Sequence, residues 1–91
     1  MCTFPGCGKR GNWTLPAELV DGGAAGPCAC RTHVVFLLRC TNLRGNNQPH
    51  SRCHRLGGPT GACRQKLEAW QRQLPGGATF SARVWTHVHS V

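Results

Sequence analysis

The feature that most constrains this chain is its load of side chains able to grip a metal: seven cysteines and five histidines within 91 residues. A domain this short closes one small apolar core with little stability in reserve. Such domains commonly add disulfides or a bound metal. Seven is odd, so a closed disulfide framework would leave one thiol over. The opening Met-Cys-Thr-Phe-Pro-Gly-Cys-Gly-Lys-Arg has no apolar stretch behind a basic start, so no secretory signal is expected. A reducing, cytoplasmic setting is therefore expected, where Cys and His clusters hold metal more often than they form cystines. No run approaches the ~18–20 consecutive apolar residues of a membrane span.

The spacings favour metal. Cys2-x4-Cys7 encloses Thr-Phe-Pro-Gly, a tight turn able to bring two thiolates onto one ion. Cys28-x-Cys30-x2-His33 is a second compact cluster, and His50-x2-Cys53-His54 a third. Tetrahedral zinc takes four N or S ligands, usually from two such pairs. Two assignments stay open. A local set joins Cys2 and Cys7 to Cys30 and His33; its rival joins them to His50 and Cys53. Cys40 and Cys63 remain for a second site or as small apolar core residues.

Charge points toward a polyanionic partner. Eleven basic residues against three acidic ones give a formal net of +8, a balance that favours nucleic acid. Arg outnumbers Lys nine to two, and Gly, Ala, Arg and Pro supply 35 of 91 residues. That is the pattern of a GC-rich coding sequence, so the charge reflects scarce acids (Glu18, Asp21, Glu68) as much as selected bases.

The expected fold is α+β, a single zinc-stabilised domain over residues 1–91 with short strands and a long metal-tied loop. Residues 1–11 read as a Gly-rich metal knuckle. Asn12 to Val20 reads as a strand interrupted by Pro16 or as one helical turn, and Asp21 to Pro27 as a turn. His33-Val-Val-Phe-Leu-Leu-Arg-Cys40 is the most apolar run and suits a buried strand, although periodicity alone leaves a helix open. Thr41 to Pro59 is loop chemistry, too long for a mere connector. Thr60 is placed to cap a helix over about 61–74, with Cys63, Leu67, Trp70 and Leu74 on one face. A strand is expected over about 79–90, Phe80, Ala82, Val84 and Val88 alternating with Arg83, Trp85, His87 and His89.

The stretch from Thr32 to His54 resembles the HNH, or ββα-metal (His-Me finger), nuclease family. Asn46-Asn-Gln-Pro-His-Ser-Arg-Cys-His54 is similar to that family's Asn-x-Gln-Pro-Leu-Cys-x2-Cys-His, with one residue deleted and His50 in place of the first Cys. Thr32 stands where the family usually has Asp or His. A second frame, His33-x6-Cys40-x-Asn42, is similar to the related His-Cys-box nucleases. The resemblance implies a metal-dependent DNA endonuclease with His33 as general base, Asn46 orienting it or touching metal, and His54 holding Mg²⁺ or Mn²⁺. Zinc on Cys2, Cys7, His50 and Cys53 would then be structural. The Cys-x4-Cys…Cys-x2-His opening also resembles small zinc proteins of bacteriophages.

Three functions therefore compete. One is the HNH-like nuclease. Another is a non-catalytic zinc module binding DNA, less expectedly RNA, through Arg39, Arg44, Arg52, Arg55 and a helix bearing Arg64, Lys66 and Arg72, with Trp13 or Trp85 stacking on bases. The last is a zinc-clipped protein-interaction factor, such as a phage-encoded inhibitor of a host enzyme.

Overall fold

The computed structural model describes residues 1–22, 26–40 and 59–85. Its elements run β1 (Trp13–Thr14), a 3-10 turn (Ala17–Leu19), β2 (Val20–Asp21), β3 (Cys28–Ala29), α1 (Arg31–Arg39), α2 (Gly61–Arg72), a second 3-10 turn (Pro75–Gly77), β4 (Thr79–Phe80) and α3 (Ala82–Trp85). Two antiparallel ladders of two strands each organise them. β1 pairs with β3, Trp13 opposite Ala29, and β2 pairs with β4, Val20 opposite Phe80. The class is α+β, as the sequence leads one to expect. Among the described residues no helix is long and apolar enough to cross a membrane.

The 12–20 segment realises both expected forms. A short strand comes first, and after Pro16, at φ −57°, the chain closes a 3-10 turn whose Leu19 is fully buried. α2 also matches expectation, with Leu67, Trp70 and Leu74 buried and Cys63 packed beside them. It ends before the expected Leu74, whose backbone is extended (φ −69°, ψ 134°). Pro75 explains this, since its ring disfavours helical backbone in the residue ahead of it.

Two expectations need correction. The apolar run from His33 to Cys40 is not a buried strand; it forms most of α1. His33, Leu37 and Cys40 recur at i, i+4 and i+7 toward the interior, while Arg31, Thr32 and Arg39 are exposed. Of the expected C-terminal strand, Thr79–Phe80 is extended but Ala82–Trp85 is helical, and the remainder lies outside the described residues. Ser81 then donates its amide to the Leu19 carbonyl (2.8 Å) and its hydroxyl to the Glu18 carbonyl (2.7 Å), and its own carbonyl accepts from the Val84 amide (3.0 Å). These bonds turn the chain into α3. Residues 41–58 and 86–91, which carry the long loop, His87 and His89, lie outside the described residues.

The core centres on Trp70, fully buried on α2. Its ring meets Phe80 edge-on at 5.4 Å and Phe4 at 5.3 Å, and lies 6.5 Å from Phe36 of α1. Such aromatic contacts contribute ~0.5–1.5 kcal/mol each beyond area burial. Trp70 packs α2 against the N-terminal loop, and Phe4 of that loop also meets Phe36 of α1 edge-on at 6.1 Å.

Candidate metal centre

The N-terminal loop is built as a clip. Pro5 and Gly6 occupy the middle of a turn closed by the Cys7 amide donating to the Phe4 carbonyl (3.1 Å), and Gly6 has φ +76°. That is the type II arrangement, which asks for Pro second and Gly third. The turn brings Cys7 back beside Cys2. The returning chain is pinned when the Cys2 amide donates to the Lys9 carbonyl (3.0 Å). Gly11 passes so close that a Cβ there would sit 2.7 Å from the Met1 carbonyl oxygen.

The other two donors come from the start of α1. Cys30 is its N-cap residue, and His33 lies one turn on. A helical turn places residues i and i+3 on one side, so Cys-x2-His becomes a bidentate grip only if helix begins there. Nearby, the Thr3 amide donates to the Cys28 carbonyl (3.1 Å), joining clip to β3.

Cys2, Cys7, Cys30 and His33 present four ligand atoms all within 4.8 Å of one another. The Cys7 and Cys30 sulfurs are 3.8 Å apart, His33 Nδ1 is 3.5 Å from Cys2 Sγ, and it is 3.1 Å from Cys30 Sγ. With Zn–S about 2.3 Å and Zn–N about 2.0–2.1 Å, a regular tetrahedron has S···S edges of about 3.8 Å and S···N edges of about 3.6 Å. Two of the measured edges match and the third is somewhat short. A disulfide would need sulfurs about 2.05 Å apart, and these thiols are free. The cluster can hold a metal ion such as zinc.

Its electrostatics suit that task. Burial pushes the Cys30 thiol up, but the backbone amides of His33 and Thr32 and the neighbouring Cys2 and Cys7 thiols outweigh it, and the net shift is downward. A thiolate at a helix N-terminus is the expected result. Burial dominates at Cys2 and raises it. His33 is lowered, first by burial and then by the positive charges of Lys9 and Lys66, so its ring favours the neutral form a metal ligand requires. Three thiolates and one divalent ion sum to −1, which the same two lysines help to balance.

Supporting side chains surround the cluster. Phe4 stacks on the His33 ring (centroids 3.9 Å, interplanar angle 8°). Thr3 Oγ1 accepts from Trp70 Nε1 (2.8 Å) and donates to the Cys28 carbonyl (2.9 Å). Neither Phe4 nor Thr3 is a metal donor, so donor spacing alone marks neither as part of the site. The available signal was their place inside the Cys-x4-Cys turn, where any side chain must lie against the ligands.

The structure thus brings together the local set named from spacing, Cys2, Cys7, Cys30 and His33. His33, also the expected general base, has its Nδ1 within this cluster. Asn46, His54, His50, Cys53, Arg44, Arg52 and Arg55 lie outside the described residues. Arg39 is exposed at the end of α1. Arg64 on α2 lies 3.7 Å from Glu68 and 5.3 Å above the Trp85 ring. Cys40 is buried in the apolar core, and Cys63 is half-buried against it.

No protein-family model, curated protein or solved structure matches this chain.

Proposed function

We propose that this chain is a zinc-stabilised basic module that binds nucleic acid without hydrolysing it. The observation that carries this reading is the position of His33 Nδ1, 3.1 Å from Cys30 Sγ and 3.5 Å from Cys2 Sγ. A nitrogen lone pair shared with a metal cannot also take a proton from water. The side chain best suited to act as general base is thereby committed to holding the fold together. Three thiolates and an imidazole at tetrahedral spacing are a closed, structural zinc set with no position left for substrate.

The partner follows from charge. Residues 1–17 and 22–67 contain no acidic side chain, so the exposed Lys9, Arg10, Arg31 and Arg39 lie in segments without a carboxylate. Phosphate neutralisation by such residues releases condensed counterions and makes binding weaken steeply with salt.

The zinc-loaded protein is expected to bind labelled oligonucleotides in a fluorescence-anisotropy titration, with affinity falling as salt rises. It is expected to leave supercoiled plasmid uncut in Mg²⁺ or Mn²⁺. Metal-dependent nicking abolished by His33→Ala or His54→Ala, in variants that keep their zinc, would instead establish the nuclease reading with His33, Asn46 and His54. Salt-insensitive association with a protein and no affinity for nucleic acid would refute both.

A further inference from the structure

We infer that the face formed by Trp13, Lys9, Arg10 and Arg31 binds single-stranded nucleic acid, with Trp13 stacking on an unpaired base and the three cations holding flanking phosphates. The inference rests on the nucleic-acid reading above and deepens it by naming the surface and the form of the ligand.

Trp13 is the starting observation. It is 52% exposed, and the terminal Met1 is the other exposed large apolar side chain among the described residues. An indole left in water on a small domain is unusual enough to mark a contact surface. Its backbone is rigidly held, since Trp13 pairs opposite Ala29 and the Leu15 amide donates to the Pro27 carbonyl (2.9 Å). The ring is therefore presented by a stiff ladder adjoining the metal clip, at low ordering cost on binding.

The charges around it have one sign. Lys9 and Arg10 are exposed and lie four and three residues before Trp13, within at most about 10–14 Å of chain. In the antiparallel register, the chain runs from Trp13 back toward Gly11 as its partner runs from Ala29 on toward Arg31. Lys9, Arg10 and Arg31 therefore gather at the same end of the ladder. Arg31 also rims an open concavity on α1 with Thr32, Val35, Phe36 and Arg39. An exposed aromatic face beside a row of cations is the composition of a stacking platform with an electrostatic track. A duplex keeps its bases stacked on one another, so a lone ring on a short strand reaches only splayed bases. An acidic peptide would match the charge but leave the flat indole face without a planar partner.

The test uses the zinc-loaded full chain and three labelled probes, a deoxythymidine oligomer, an RNA of the same length and a hairpin duplex, read by fluorescence anisotropy. Wild type is expected to prefer the single strands, the DNA and RNA arms showing whether the sugar matters. Trp13→Ala should weaken single-strand binding by roughly five- to hundredfold at unchanged zinc content and circular dichroism, and Trp13→Phe should restore most of it. Lys9→Gln with Arg10→Gln should flatten the salt slope by about 1.4. Trp13→Ala binding as tightly as wild type would overturn this surface while leaving the nucleic-acid reading standing. No binding of any probe at low salt would overturn both.

Discussion

Replacing Thr3 with Val tests whether the metal clip and the helical core form one cooperative unit. The substitution keeps the shape of the side chain and removes only its hydroxyl. That oxygen accepts from Trp70 Nε1 at 2.8 Å and donates to the Cys28 carbonyl at 2.9 Å. The carbonyl keeps a partner, because the Thr3 amide also donates to it at 3.1 Å. The indole N–H does not, since Trp70 is fully buried and Thr3 Oγ1 is its acceptor. Leaving a buried donor unmet costs ~1–3 kcal/mol, and the second bond adds ~0.5 kcal/mol, so about 2 kcal/mol in total is expected. For a domain this size, ~2 kcal/mol lowers the melting temperature by roughly 8–16 °C. A zinc ion held by the cluster would link binding to folding, so the same loss should weaken apparent zinc affinity about thirtyfold. Thermal melts of the zinc-loaded protein in a reducing buffer, followed by a competitive chelator titration, measure both. Thr3→Ser keeps the hydroxyl and should recover most of the loss. A Thr3→Val protein that melts within about 2 °C of wild type would mean that the Thr3–Trp70 bond does not couple the halves.

Three further outcomes follow from the same geometry. Cys30→Ser should lower zinc stoichiometry and cost most of the cooperative melt, whereas Cys28→Ser, at a thiol outside the four-ligand cluster, should keep one zinc per chain; equal loss in metal analysis of both would refute the ligand set. Gly11→Ala would push a Cβ to 2.7 Å from the Met1 carbonyl oxygen and should destabilise by ~1–3 kcal/mol, while Gly8→Ala, with nothing within 4 Å of its Cβ, should stay within ~0.5 kcal/mol in denaturant titrations. Acidification should release the metal. The folded-state value of His33 is lowered, so its contribution is complete above the ordinary imidazole value of about 6.5 and is lost as pH falls through the lower folded value; melts between about pH 5 and 8 should show stability falling only on the acid side of that range.

How far the site could be read from residues alone depended on which periodicities were ambiguous. α2 was legible because Cys63, Leu67, Trp70 and Leu74 fit a helical stripe and no other, between a Thr start and a Pro-Gly-Gly stop. α3 was not, because Phe80 and Val84 lie four residues apart, and four is both two strand repeats and about one helical turn. Ser81, which turns the chain only after reaching back to Leu19 and to Glu18, 63 residues earlier, is invisible to local pattern. α1 is the instructive case. Val34, Val35 and Phe36 favour strand by local propensity, yet Cys30-x2-His33 demands a helical turn if both residues are to grip one ion. In a strand, residues i and i+3 point to opposite faces, so the ligand spacing and the apolar run made incompatible claims on the same backbone. The structure resolves them in favour of the ligands: Cys30 and His33 stand on one turn with Nδ1 and Sγ 3.1 Å apart, and Leu37 and Cys40 follow on the same face. A metal on Cys30 and His33 would hold this β-favouring segment in helix, and because Trp70 ties α2 to the same clip, a chelator should remove the helical circular dichroism of α1 and α2 in one transition; loss in two separate steps would refute the coupling.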